Sequence, residues 1–427
     1  MRTGEWFKLA LTLLFAAVLV GCGPKGNQVE KVVFGPKTYV GSEECKVCHL
    51  EHYDSWKMTL HSRTLQDVTQ NMDAIITEIN PETIRADLKQ LEKELKVPVD
   101  KIYIPKVEEI KYTIGVQWEQ RYLVEKNGRL YIAPIQYNAW NNTWTNYREA
   151  DWDKRPWTEK CGGCHAMGTD LEKDTFSEAA VGCEACHGPA SNHVALPKTA
   201  IFDKRLTIVN PSKLPTGIRT QICGGCHSRG KSTRIKGLDW PVGHVAGQAL
   251  GPFFKAAENR VTGTVNPIYG YEGPDAHHQQ YLDWQQSIHA QKGVSCTSCH
   301  YVHQLGVPPT QFQTRQSGSQ QCLSCHTMVK NIYAHSLHAF TNCIGCHMPR
   351  VAVSVESGDV LSHTFRFMSP EETLQAGSIE KRPNACSSCH HHKDAPVEAL
   401  AGFLEAAIKQ DMPKPFTVHL RPGQPGK

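Results

Sequence analysis

A chain of 427 residues with 40% hydrophobic and 21% charged side chains has room for one large or two to three ordinary domains and the make-up of a globular protein. A formal net charge of +4 is small for that length and gives no case for nucleic-acid binding. No apolar run is long enough to span a bilayer and remain there.

The chain opens on Arg2 and Lys8, runs apolar over Leu9–Val20 apart from Thr12, and reaches Leu19-Val20-Gly21-Cys22. That order is expected of an exported lipoprotein: residues 1–21 are the signal peptide and Cys22 is the lipidation site. The alternative is an ordinary signal peptide with an incidental cysteine. Residues 22–40 hold Gly23, Pro24, Gly26, Gly35 and Pro36 and are expected to be a flexible tether. The expected location is the cell envelope, lipid-anchored at a membrane surface, facing the periplasm or on the outer membrane.

From Cys45 onward every cysteine falls in a C-x-x-C-H motif. The first four are CKVCH (Cys45, Cys48, His49), CGGCH (Cys161, Cys164, His165), CEACH (Cys183, Cys186, His187) and CGGCH (Cys223, Cys226, His227). The last four are CTSCH (Cys296, Cys299, His300), CLSCH (Cys322, Cys325, His326), CIGCH (Cys343, Cys346, His347) and CSSCH (Cys386, Cys389, His390). Two thiols on one helical turn suit the two vinyl groups of a porphyrin, and the adjacent imidazole suits its iron, so the spacing is that of covalent c-type haem attachment. Zinc sites, redox-active thiol pairs and disulfides need no histidine after each pair. With 22 histidines in 427 positions, eight such coincidences have a chance on the order of 10⁻¹⁰. Eight c-type haems are the expected cofactors, and the eight motif histidines their proximal iron ligands.

Between the first two motifs, Asn80-Pro81-Glu82 opens a helix whose apolar face, Ile84, Leu88, Leu91 and Leu95, runs toward Pro98. WEQRYLVE, an Asn127-Gly128 turn and LYIAPIQY then read as a β-hairpin, with Trp118, Tyr122 and Tyr131 available for packing. After the last motif comes a helix over 394–410, then a proline-rich tail, 411–427, expected to be disordered. The expected fold is mainly α with much irregular structure, built around eight haems. A small β-hairpin or sheet is inserted at about 102–147, within a helix-plus-hairpin segment at 65–150 of a haem domain spanning 41–393.

Further iron ligands follow from a repeat. Tyr53 to His61 and Tyr281 to His289 share Y-x-x-W-x-x-[ST]-[LI]-H, and Ser336-Leu337-His338 repeats its ending. His61, His289 and His338 are therefore expected to be distal ligands. His52 and His419 are expected to face solvent.

The runs YVGSEECKVCHLEHYDSWKMTLH, VGCEACHGPASNHV, CHMPR with LSHTF, and PNACSSCH resemble the multihaem cytochromes c related to the tetrahaem cytochrome of ammonia oxidisers. Pentahaem nitrite reductase, hydroxylamine oxidoreductase and octahaem tetrathionate reductase are more distant relatives, and the resemblance covers about Tyr39 to Lys393. It implies His193 and His363 as further distal ligands. His244, His277, His278, His303, His335, His391 and His392 compete for the remaining places.

Two functions follow from that resemblance. One is electron transfer through closely spaced, mostly bis-histidine, low-potential haems, with partners among envelope cytochromes, a quinol-linked donor or an outer-membrane conduit. The other is reduction or oxidation of small nitrogen or sulfur compounds at one open-faced iron. The nitrite enzyme's C-x-x-C-K marker is absent here, whereas a tyrosine-linked haem such as that of hydroxylamine oxidoreductase remains open. A polymerising cytochrome is a third class, which lipidation at Cys22 would disfavour.

Overall fold

Asn127 and Gly128 both adopt positive φ, 54° and 73°, the pair of values a two-residue hairpin turn demands and Asn-Gly supplies at little cost. The turn joins strands β3 (Glu119–Lys126) and β4 (Arg129–Asn138), with Lys126 opposite Arg129 and Val124 opposite Tyr131. Strands β2 (Ile110–Ile114) and β5 (Thr143–Asn146) flank the hairpin, and β1 (Leu65–Asp67) pairs with β2. All neighbours are antiparallel in the order β1-β2-β3-β4-β5. The expected insertion at 102–147 is thus a five-stranded sheet whose first strand begins at Leu65. That strand is too short to carry an alternation of its own.

Alternation along the strands sends side chains to two buried faces. Tyr122, Val124 and Ile135 pack with Ile84 and Leu88, while Leu123 and Ile132 pack with Leu65, Ile114 and Trp157 beside Cys161. The sheet therefore supports the second C-x-x-C-H motif and is continuous with the body around it.

Helix Pro81–Gln90 is capped by Asn80, whose Oδ1 accepts from Glu82 N at 2.9 Å and Thr83 N at 3.3 Å. It stops short of the expected Leu95. Leu91 N bonds Leu88 O and Glu94 N bonds Leu91 O, so the chain tightens into turns before Val97-Pro98, where the proline disfavours helix in the residue ahead of it. Leu95 still joins the core from the turn.

Elsewhere the helices are short, among them Leu50–Lys57, Cys183–His187, Thr216–Gly224, Gln280–Gln286 and Cys296–Cys299, and the helix after the last motif is Val397–Lys409. Both apolar clusters of the described residues draw on positions 65–180. The expected tether ends earlier than residue 40, because Thr38 N bonds Ser191 Oγ at 2.9 Å and Val40 N bonds the Glu184 carboxylate.

The computed structural model describes residues 34–257, 279–329, 335, 343–353, 357–379, 381–389 and 392–409. The signal peptide, Cys22, His277, His278, His338, His390, His391, His419 and the tail lie outside the described residues.

Candidate haem sites

Four of the motifs close on one helical turn. His49 N bonds Cys45 O at 2.9 Å, His227 N bonds Cys223 O at 2.8 Å, His300 N bonds Cys296 O at 3.0 Å and His326 N bonds Cys322 O at 2.9 Å. That i to i+4 bond keeps both thiols and the imidazole on one side of the chain. None of the sixteen motif cysteines is paired in a disulfide.

Histidines from distant segments face four of the motif histidines. Ring centroids lie 6.3 Å apart for His61 and His227, 6.3 Å for His300 and His363, 6.0 Å for His187 and His303, and 5.9 Å for His289 and His326. With metal–nitrogen bonds of about 2 Å and about 1.1 Å from nitrogen to ring centre, two imidazoles on opposite faces of one iron set their centroids about 6.3 Å apart. After burial, the neighbouring charge that most depresses the His49 pKa is that of His193, and for His347 it is that of His335.

Ring hydrogen bonds orient several of these imidazoles. Nδ1 meets a backbone carbonyl in His187 (Val209 O, 2.8 Å), His193 (Lys204 O, 2.9 Å), His300 (Phe312 O, 2.8 Å) and His363 (Leu361 O, 3.1 Å). A carbonyl at Nδ1 fixes the proton there and leaves the Nε2 lone pair for a metal. His244 is turned the other way, its Nε2 meeting Gln248 O at 3.2 Å. Burial first, and then His227 or His300, pushes the pKa of His61 and of His363 down to about 4, so both rings are neutral at neutral pH, as ligation requires.

Two buried guanidinium nitrogens test the fit further. Arg63 Nε and Arg219 Nε are shielded from solvent and have no hydrogen-bond partner. Arg63 follows His61 by two residues, and Arg219 Nη2 reaches Ser295 Oγ, beside Cys296, at 3.4 Å. A guanidinium N–H shielded from water calls for an acceptor, and a porphyrin propionate, a carboxylate, would supply one. The residues present fit haem.

The thiols mark which motifs are neighbours. The side chain of Cys45 lies beside that of Cys183, Cys164 beside Cys226, Cys223 beside Cys296, and Cys322 beside Cys343. Cys186 feels the charge of Cys226, Cys299 that of Cys325, and Cys346 that of Cys389. In space the motifs thus run first, third, fourth, fifth, sixth, seventh and eighth, with the second beside the fourth.

Glu184, the second residue of the third motif and 2% exposed, anchors the chain ahead of the first motif. Its carboxylate accepts from Gly41 N at 2.8 Å, Ala190 N at 2.8 Å and Val40 N at 3.0 Å. Glu184→Ala leaves these amides unpaired, at about 1–3 kcal/mol each where no water reaches. A loss of roughly 3 kcal/mol or more is expected in denaturant titration of the holoprotein.

Of the ligands expected from sequence, His61, His289 and His363 lie at iron-spanning distance from motif histidines, and His193 lies beside His49. His303 was one among seven equals in sequence, yet it stacks on His187 at 13°. His52 is exposed as expected, but its ring is 4.8 Å from His303. His392 is represented by a backbone bond to Cys389 O at 2.9 Å. Nothing in the spacing could have singled out His303, because its partner belongs to a motif more than a hundred residues earlier.

Comparison with known proteins bears on the family and the fold. The family model for cytochrome c552 matches residues 164–332, and that for cytochrome c554 and c-prime matches 44–102 and 136–188. A dissimilatory sulfite reductase, MccA of Wolinella succinogenes, is 22% identical over 399 residues, covering 74% of this chain and 51% of its own length. The multiheme cytochrome MtrA of Shewanella baltica is 22% identical over 223 residues, covering 51% of this chain and 44% of its own. The chain thus spans about half the length of the curated relatives it matches. Among solved structures, the outer cell wall cytochrome OcwA superposes with a TM-score of 0.64 at 22% identity over 86% of each chain, and shares the fold. The motifs, the two family models and this shared fold agree that the chain belongs to the multihaem c-type cytochromes.

Proposed function

We propose that the protein carries eight c-type haems and passes electrons along them in the cell envelope. The observation that carries this reading is the set of facing imidazoles at 5.9–6.3 Å, a spacing that would leave no open face on an iron held between them. Bound haem supplies the one-electron iron couple; the chain's residues hold, space and screen it. His227 pairs with His61, His300 with His363, His187 with His303, His326 with His289, His49 with His193 and His347 with His335. His338, His244, His277, His278, His391 and His392 compete for the two remaining places, opposite His165 and His390. Imidazole on both faces, without the methionine that raises potential, makes these centres low-potential.

The thiol contacts support a path from the first motif through the third, fourth, fifth, sixth and seventh to the eighth, with the second as a branch at the fourth. Electrons could enter or leave at three ends. Cys22 is the lipid attachment point, residues 41–393 are the haem domain, and the partners are other envelope cytochromes, a quinol-linked donor or an outer-membrane conduit. The likeness to OcwA, named as an outer cell wall cytochrome, supports the envelope setting.

Likeness to a sulfite reductase over 74% of the chain favours a second reading, reduction of small sulfur or nitrogen compounds at one open iron. Electron paramagnetic resonance of the oxidised protein separates the two. Wholly low-spin iron, unresponsive to cyanide, nitrite, sulfite or carbon monoxide, is expected of the carrier. A high-spin centre that binds these molecules transfers the assignment to the reductase.

A further inference from the structure

The two complete copies of Y-x-x-W-x-x-[ST]-[LI]-H make the same set of bonds in different parts of the chain. Trp56 Nε1 donates to Val181 O at 3.1 Å, and Trp284 Nε1 donates to Val294 O at 2.9 Å. Val181 and Val294 each stand two residues ahead of the first cysteine of a motif, Cys183 and Cys296. The amides of the same valines donate to the histidines that end the pattern: Val181 N to His61 O at 3.0 Å and Val294 N to His289 O at 2.9 Å. Behind each tryptophan a hydroxyl, Thr59 Oγ1 or Ser287 Oγ, donates to its carbonyl at 2.7 Å. Trp240, outside the pattern, repeats the indole contact by donating to Glu159 O at 2.9 Å, and Glu159 stands two residues ahead of Cys161.

The histidine of each copy does not face the motif that its tryptophan grips. The first copy grips the third motif and brings His61 to His227 of the fourth; the second grips the fifth and brings His289 to His326 of the sixth. The N–H and the C=O of one valine are both used, so each of the two peptide planes that meet at its Cα is held by one bond. Indole suits the task because it is a rigid ring with a single N–H donor at its edge.

We infer that Trp56 and Trp284 are positioning residues, each locking the attachment segment of one haem to the axial histidine of the next. One tryptophan–valine–histidine clamp thereby sets the geometry between two consecutive irons. The inference rests on the reading of His61 and His289 as iron ligands, and the experiment tests the two separately.

Trp284→Phe keeps the ring and removes the N–H. In matured protein, the haem count by intact mass is expected to stay unchanged. One low-spin ferric signal is expected to shift or be lost, the same one that His289→Ala removes. Trp56→Phe is expected to do this to the signal that His61→Ala removes, and Trp140→Phe, at a site 70% exposed, to none. An unchanged spectrum in Trp284→Phe, or an equal change in every signal, overturns the clamp. His289→Ala without effect overturns the ligand reading instead. Should the tryptophan variants fail to mature, Thr59→Val in the first copy, which keeps the side-chain shape and removes the hydroxyl bond to Trp56 O, is expected to give a smaller shift of the signal that His61→Ala removes; no shift there also overturns the clamp.

Discussion

His363→Ala is expected to turn one low-spin ferric iron high-spin and open it to carbon monoxide, while the other low-spin signals persist. His363 sits in LSHTF, where its backbone amide donates to Asp283 Oδ2 at 3.0 Å and its Nδ1 meets Leu361 O at 3.1 Å. Asp283 is 1% exposed, so the loop carrying His363 is tied to the helix Gln280–Gln286 by a fixed acceptor. The imidazole stands 6.3 Å from His300, whose own Nδ1 is held by Phe312 O, and Phe312 rests on Trp118 at 5.8 Å. In the folded holoprotein both rings are thus oriented by the chain, and alanine would remove the sixth ligand without disturbing the fifth. The change is expected to be complete for one iron and nil for the rest, read by paramagnetic resonance and carbon monoxide difference spectra. Loss of every signal at once would point to a scaffold failure and against a ligand.

Polypeptide made without haem attachment is expected to lose ordered structure over most of its length. The two apolar clusters lie within positions 65–180, around the five-stranded sheet. Beyond Ala180 the buried apolar residues, such as Leu238, Trp240, Phe254 and Tyr281, are scattered among short helices. Short helices are marginal in water without a packed face, and here that face would be porphyrin. Limited proteolysis of the apoprotein is therefore expected to spare a fragment covering about 65–180 and to cut the remainder at least tenfold faster than in holoprotein, by the logic of coupled metal binding and folding. Equal resistance of the two forms along the whole chain would mean that side chains alone make the core.

Much of this was legible in the sequence because the chemistry is local. A C-x-x-C-H motif brings its thiols and imidazole together on a single turn, and the Asn-Gly hairpin and the Asn80 cap follow from neighbouring residues. The Y-x-x-W repeat pointed to His61 and His289 for the same reason. Pairing was not legible: His61 meets His227 and His303 meets His187 only because the chain folds back on itself, and no spacing encodes that return. The short strand at Leu65 also depends on a tertiary contact, its pairing with β2, and the turns that follow the helix lead to Lys96, whose amide donates to the Glu149 carboxylate at 2.8 Å.

Intact-mass measurement of the protein matured in a host that attaches c-type haem is the most direct test. The sixteen motif cysteines should all be alkylation-resistant, and the polypeptide should carry the mass of eight haems. A mass with markedly fewer haems, or motif cysteines recovered as disulfides or as zinc thiolates, would contradict the account.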